Sequence, residues 1–239
     1  MDKIILGKSK KVIAISEKMK KYLSKSRLIS LEKIKVVQNW QDEDAFINYE
    51  AIKKPHKNKL FTFMYMGNIG PVAGVDLLIE SFSKANLENC KFLIAGSGSK
   101  RIELENLVSS RKIERVNFID VPDGMVPEIQ GFADVMLLPI KKGAASSSIP
   151  SKLPAYMFSK KPIIASVDID SDSARVINEA NAGWVIEPEN IDILIDTMKI
   201  VSLTKKSELE LKGENGFKYA TENLSKKNNL NQLVKAILE

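Results

Sequence analysis

Ten residues from Gly143 to Lys152, GAASSSIPSK, bring four serine hydroxyls and a lysine together between two strongly apolar runs. Holding a diphosphate takes several hydrogen-bond donors and at least one cation. Ser146, Ser147, Ser148, Ser151 and Lys152 supply both, so the segment is a candidate anion cradle. Ser151 is also a good N-cap for a helix starting at Lys152, with Pro154 tolerated in its first turn. Capping alone accounts for the Pro-Ser-Lys step, and the further hydroxyls shift the balance toward a ligand. Two other loops would let a ligand approach the backbone. GNIGPVAG (67–74) begins with Gly67, Asn68, Ile69 and Gly70, and GSGSK (96–100) begins with Gly96 and Ser97. Their glycines permit close contact, and a helix that follows presents unpaired N–H groups and a positive dipole end. The three loops together predict a phosphate-containing ligand.

Other patterns carry less. GSGSKR starts like the dinucleotide fingerprint G-x-G-x-x-G, but Arg101 stands where the third glycine belongs, which argues against an NAD-dependent dehydrogenase. DIDSD (168–172) offers a D-x-D pair for a divalent ion, with Glu179 at the twelfth position of a calcium-loop spacing. Ser173 replaces the glycine such a loop requires, so acids at a helix N-terminus are the favoured account and no metal is expected. Cys90 precedes an apolar run and reads as a small packed residue. His56, the single histidine, lies in a polar loop with nothing around it to build a triad.

Elements of a particular kind must position these loops. From Leu60 the chain alternates apolar runs with helical patterns: FTFMYM, KFLIAG, VNFID, DVMLLPI, PIIASV and GWVIEP are separated by helical segments. That order predicts an α/β fold with a doubly wound, Rossmann-like parallel sheet, closed by two or three amphipathic helices from Ile191 to Glu239. All three loops then fall at carboxyl ends of strands, where such sheets bind ligands. The first forty residues break the rhythm. KVIAIS, EKMKKYLSKS and IKVVQN form one βαβ fragment, followed by a linker-like stretch through Lys59. One such unit cannot cover both faces of its own sheet, so it must lean on something else, either the C-terminal helices or a second copy of the chain.

The composition is that of an ordinary globular protein, with 44% apolar residues in 239. No apolar run approaches the length of a membrane span and the first residues are too short for a signal peptide, so a cytoplasmic location is expected. The excess of 36 Lys+Arg over 30 Asp+Glu is poor in arginine. It suits solubility, or attraction to an anionic membrane surface, better than nucleic acid.

YMGNIGPVAGVDLLIESF, FLIAGSGSKRIELENLV, FADVMLLPI, SSSIPSKLPAYMFSKKPIIASV, AGWVIEPEN and GENGFKYATENLS, in this order, resemble the second domain of family 4 retaining glycosyltransferases, which have the GT-B fold. P-S-K-L-x-x-Y-M followed by KPIIAS is most similar to the branch that builds O-antigen and capsule, such as fucosamine transferases. The resemblance implies a nucleotide-sugar-binding domain at 58–202, crossing helices at 203–239, and a remnant of the acceptor domain plus linker at 1–57. It implies a UDP-sugar donor and peripheral contact to the inner face of the plasma membrane, in a truncated transferase or in one half of a split enzyme whose partner chain supplies the acceptor domain; a homodimer is the favoured expectation for covering the N-terminal unit. By position, Gly67 to Gly70 would line the diphosphate, Gly96 and Ser97 the nucleoside, Asp120 and Val121 the base edge, and Ser146 to Ser148 with Lys152 the diphosphate and sugar. The chain departs from the family pattern in two places. The arginine and lysine of the first glycine loop fall on Asn68 and Ala73, leaving Lys152, Lys141 or Lys142 to substitute. The glutamates of E-x7-E fall on Ser147 and Ala155. No catalytic residue is therefore assigned, and a non-catalytic nucleotide-sugar-binding module stands beside the transferase reading.

Overall fold

The computed structural model describes residues 2–52, 60–143 and 149–238. It begins with helix α1 (Asp2–Lys8), strand β1 (Val12–Ala14), helix α2 (Glu17–Arg27) and strand β2 (Ile34–Val36), then helix α3 (Asp44–Ile52). From there strands β3 (Phe61–Met66), β4 (Cys90–Ala95), β5 (Val116–Ile119), β6 (Val135–Pro139), β7 (Ile163–Ser166) and β8 (Gly183–Ile186) alternate with helices α4 (Val75–Ala85), α5 (Arg101–Ser110), α6 (Val126–Gly131), α7 (Lys152–Phe158) and α8 (Asp172–Glu179). Helices α9 (Ile191–Ser202), α10 (Lys206–Asn223) and α11 (Lys226–Leu238) end it. The six strands form one sheet, ordered β5-β4-β3-β6-β7-β8 and parallel throughout. The expected doubly wound fold is therefore present.

Helices on both faces explain why these strands are apolar without alternation. Along β3, Phe63 and Tyr65 enter one core cluster and Met64 and Met66 the other, as the two-residue period of a strand dictates. Toward the end of the chain, α10 crosses closely over α7. A Cβ at Gly213 would lie 2.1 Å from the carbonyl oxygen of Lys160, so only glycine fits there.

The N-terminal unit stands apart as a two-stranded parallel sheet of β1 and β2. Its core is four buried residues, Val12, Ala14, Ile29 and Ile34, with Leu6 and Leu23 packed against them. The segment that follows it, read as linker, is what meets the C-terminal helices. Gln41 donates its N–H to the Leu224 carbonyl at 3.1 Å and accepts from the Lys226 N–H at 3.1 Å. Glu43 accepts from the same N–H at 2.8 Å, which gives α11 its N-terminal acceptor.

The stretch read as linker contains α3, a correction to the sequence reading. Phe46 anchors it, 2% exposed and with its ring 5.9 Å from that of Phe158. The surrounding polar residues conceal this single anchor, because α3 has no strong apolar stripe.

Candidate functional site

The strand order reverses between β3 and β6, since β4 follows β3 on one side and β6 flanks it on the other. At such a switch point the loops leave in opposite directions and open a crevice. Here β3 pairs with β4 over its whole length, Phe61 with Cys90 through Met66 with Ala95. It pairs with β6 only at Phe63 and Met64. Beyond Met64 the two strands part, and the side chain of Tyr156 fills the gap. Its hydroxyl accepts from the Met66 N–H at 3.1 Å and donates to the Met66 carbonyl at 2.7 Å, satisfying groups that a longer ladder would have used. Tyr156 is fully buried on α7, so this pair of bonds pins α7 to the end of β3.

One turn before Tyr156 on the same helix face comes Lys152. Its stem runs over Gly67: a Cβ there would lie 2.0 Å from Lys152 Cε, and Gly67 adopts φ +148°, which disfavours a side chain in any case. Its ammonium lies 5.2 Å from the centre of the Tyr65 ring. Among the described residues no carboxylate pairs with it. Burial lowers its pKa from the ordinary lysine value, as expected for a cation removed from water without a counter-charge. An unpaired, partly desolvated cation attracts an anion more strongly than a solvated one.

Interlocked backbones form the facing wall. Ile69 donates its N–H to Ser97 O at 2.8 Å and accepts from the Lys100 N–H at 3.0 Å. Gly96 (φ +128°) lies so close to the first loop that a Cβ would come within 2.3 Å of the Gly67 carbonyl. Gly98 (φ +153°) meets Ile69 O in the same way, at 2.4 Å. Gly96 thus holds the two loops together, whereas Ser97 is exposed between them. The Ile69 side chain is fully buried in the core and both its backbone groups are engaged, so it serves the scaffold and leaves the cleft to its neighbours. Tyr65 donates its hydroxyl to the Asn68 carbonyl at 2.6 Å, while the Asn68 side chain is exposed. Gly70 lines a separate cavity of about 280 Å³ with Lys100, Lys141 and Glu103.

Arg101, which spoils the dinucleotide fingerprint, has a different use. It donates to Gly96 O at 2.7 Å and Glu105 at 2.8 Å and makes an ion pair with Asp120, tying the ends of β4 and β5 together. Asp120 thus has a partner although its side chain is exposed, and Val121 packs half-buried against the core.

Ser151 occupies the N-cap of α7, but its side chain makes no capping bond, because its αR backbone turns the hydroxyl away from the first N–H groups; this corrects the expectation of a side-chain cap. Ser146, Ser147, Ser148 and His56 lie outside the described residues. In DIDSD the cap is Ser171, accepting from the Ala174 N–H at 3.2 Å. Asp168 accepts from the Gly143 N–H, Asp170 pairs with Lys18 at 2.9 Å, and Asp172 pairs with Arg175 at 3.3 Å. Each acid has a partner, and no cluster able to hold a metal occurs among the described residues. The sequence reading missed Tyr156, Tyr65 and Arg101. The signal for Tyr156 was its spacing of four from Lys152 in KLPAYM, which puts both on one helix face.

Comparison with known proteins gives the same architecture. A family model, glycosyl transferases group 1, matches residues 48–219. WcaI of Escherichia coli, whose name assigns it to colanic acid biosynthesis as a glycosyl transferase, is 24% identical over 198 residues, 82% of this chain and 46% of its own length. The chain spans less than half the length of the curated relatives it matches. Among solved structures, a glycosyltransferase from Rickettsia africae superposes with a TM-score of 0.80 at 18% identity, covering 98% of this chain and 65% of that one. HepE of Anabaena in complex with UDP-glucose gives 0.76 at 14% identity, covering 96% and 64%.

Proposed function

We propose that this chain, which belongs to the group 1 glycosyl transferases, binds the diphosphate of a UDP-sugar between the ends of β3 and β6. It would serve as the donor-binding portion of a retaining transferase in bacterial surface polysaccharide synthesis. One observation carries the reading: Lys152, partly desolvated and without a carboxylate partner among the described residues, is seated over Gly67 at the switch point. The bond that breaks in such a transfer joins the anomeric carbon to a phosphate oxygen, so negative charge grows on the departing diphosphate. A cation already in place stabilises that charge without reorganisation. Lys152 takes the part of the two basic residues absent at Asn68 and Ala73, and its ammonium needs no metal beside it. The HepE complex with UDP-glucose supports uridine as the base, and the name of WcaI supports a surface polysaccharide as the product. The acceptor would be held by residues outside the six-stranded domain.

A second reading keeps the binding and drops the transfer. Ala155, where the family pattern has a glutamate, is 7% exposed and packed in the core, so that position offers the sugar no carboxylate. Titration with UDP, UDP-sugars, GDP-sugars and uridine, with and without EDTA, tests the binding. UDP should raise the melting temperature in both conditions, since ligand at 100 times its Kd adds about 2.7 kcal/mol. Absence of any shift at millimolar UDP overturns both readings. Release of UDP from a UDP-sugar in the presence of acceptor separates the first from the second.

A further inference from the structure

Helix α9 buries one side and exposes an apolar stripe on the other. Leu194, Met198 and Val201 are buried in the layer that α9 shares with α4. The outer side carries Ile193, Ile200 and, at the end of the helix, Leu203, which are 41%, 63% and 86% exposed. Their spacing of seven and then three residues places them on one stripe. By contrast α4, in the same layer, exposes only Asp76, Ser83 and Lys84. The charges beside the α9 stripe are sorted along its length. Asp192 and Asp196 lie in the first half, and Lys199 and Lys205 lie in the second half and just past its end. Asp196 and Lys199 are 3.9 Å apart within the chain and both are largely exposed, so each is placed to reach outward.

We propose that α9 joins two copies of this chain, paired antiparallel about a two-fold axis through the middle of the helix. In such a pair Ile193 faces Leu203 of the second copy and Ile200 faces Thr197, while Asp196 comes beside Lys199 and Asp192 beside Lys205. Each contact is made twice, as two-fold symmetry requires. Acids of one copy meet lysines of the other, so the stripe is complementary to itself. Antiparallel alignment also sets opposite ends of the two helix dipoles side by side. Two acids with two lysines leave no net charge to draw an anionic lipid surface or a nucleic acid. The segments before β3 meet the domain on the other face of the sheet, through Ile149, Phe158 and Leu224, so the α9 surface stands clear of them and of Lys152 on α7. It is independent of how the crevice is used. One pair of helices covers less than the about 800 Å² per partner of a standard interface, which sets the expected Kd in the micromolar range.

Sedimentation velocity of the full chain from about 1 to 200 µM tests it, and the average sedimentation coefficient should climb from that of a monomer toward that of a dimer. Ile200→Asp should weaken the association at least about tenfold. Should that variant disturb the fold, Leu203→Asn replaces it, since Leu203 caps the helix and is almost fully exposed. Asp196→Lys and Lys199→Asp, each alone, should weaken the dimer about tenfold by setting like charges together. Mixed in equal amounts, the two should associate about as well as the parent, because every cross-contact then joins unlike charges. A parent protein that stays monomeric throughout overturns the proposal. So does a dimer indifferent to Ile200→Asp and Leu203→Asn, or a pair of charge variants that do not weaken it alone or do not recover on mixing.

Discussion

On one side of the switch point, β3, β4 and β5 end in loops that hold one another through their backbones, with Gly96 and Gly98 packed on the carbonyls of Gly67 and Ile69. On the other side, β6 ends in a loop whose helix contributes side chains: Tyr156 to close the gap beside Met66 and Lys152 to present a charge. One wall is a rigid surface with little chemistry. The other holds the chemistry and depends on that surface for its position. Substitutions in the first wall should therefore act on stability, and substitutions in the second on ligand.

Gly96→Val strikes the first wall hardest. Its Cβ would sit 2.3 Å from the Gly67 carbonyl, and φ +128° is closed to a β-branched residue. Unfolding in urea should show a loss of about 4 kcal/mol, combining backbone strain with forced separation of two loops. A midpoint close to that of the parent would mean the loops are not interlocked. Lys152→Met makes the opposite test. Loss of a charge-assisted contact should weaken UDP by about 1.5 to 3 kcal/mol, roughly tenfold to over a hundredfold, and leave uridine alone. An equal loss for both ligands would assign Lys152 to the helix start instead of the phosphate.

The two walls differ in how plainly the sequence displays them. Strand order, the three loops and Lys152 could be read directly, because apolar runs, glycines and a lysine after a serine-proline step are local signals. The use of each glycine could not. Gly67 and Gly96 were expected to line a ligand, whereas Gly96 first of all makes room for a carbonyl from a loop 29 residues earlier. Arg101 looked like a flaw in a motif and proved to be the tie between β4 and β5. Both facts depend on contacts between distant segments, which no periodicity records. Helix α3 escaped notice for a related reason: its one deep contact, Phe46 on Phe158, joins residues more than a hundred apart.

Tyr156→Phe tests whether the second wall rests on the first. It deletes a buried hydroxyl and leaves the Met66 N–H and carbonyl without their partner, at about 1 to 2 kcal/mol. Because Lys152 is carried on the same helix, UDP affinity should fall as well, by less than in Lys152→Met. Loss of stability with fully retained affinity would show that α7 is held in place by its core contacts alone.

The smallest effect concerns pH. Burial lowers the pKa of Lys152 in the folded chain below the ordinary value of 10.5, to which it returns on unfolding. Between the two values the unfolded chain binds more protons, so stability should rise with pH there, while at neutral pH the cost of the buried charge is fully present. Lys152→Met removes both the cost and the slope, and at neutral pH should leave the free protein unchanged or more stable by on the order of 0.5 kcal/mol. Ligand reverses the sign. A diphosphate favours the protonated amine, so UDP affinity should decline as the pH is raised through the depressed pKa, with no matching decline for uridine. Calorimetric titration from neutral to alkaline pH would show this as a widening gap between UDP in the parent at neutral pH and at high pH, with Lys152→Met flat across the range. A parent protein as flat as the variant would mean that the ammonium over Tyr65 never meets the phosphate, and the functional difference between the two walls would go with it.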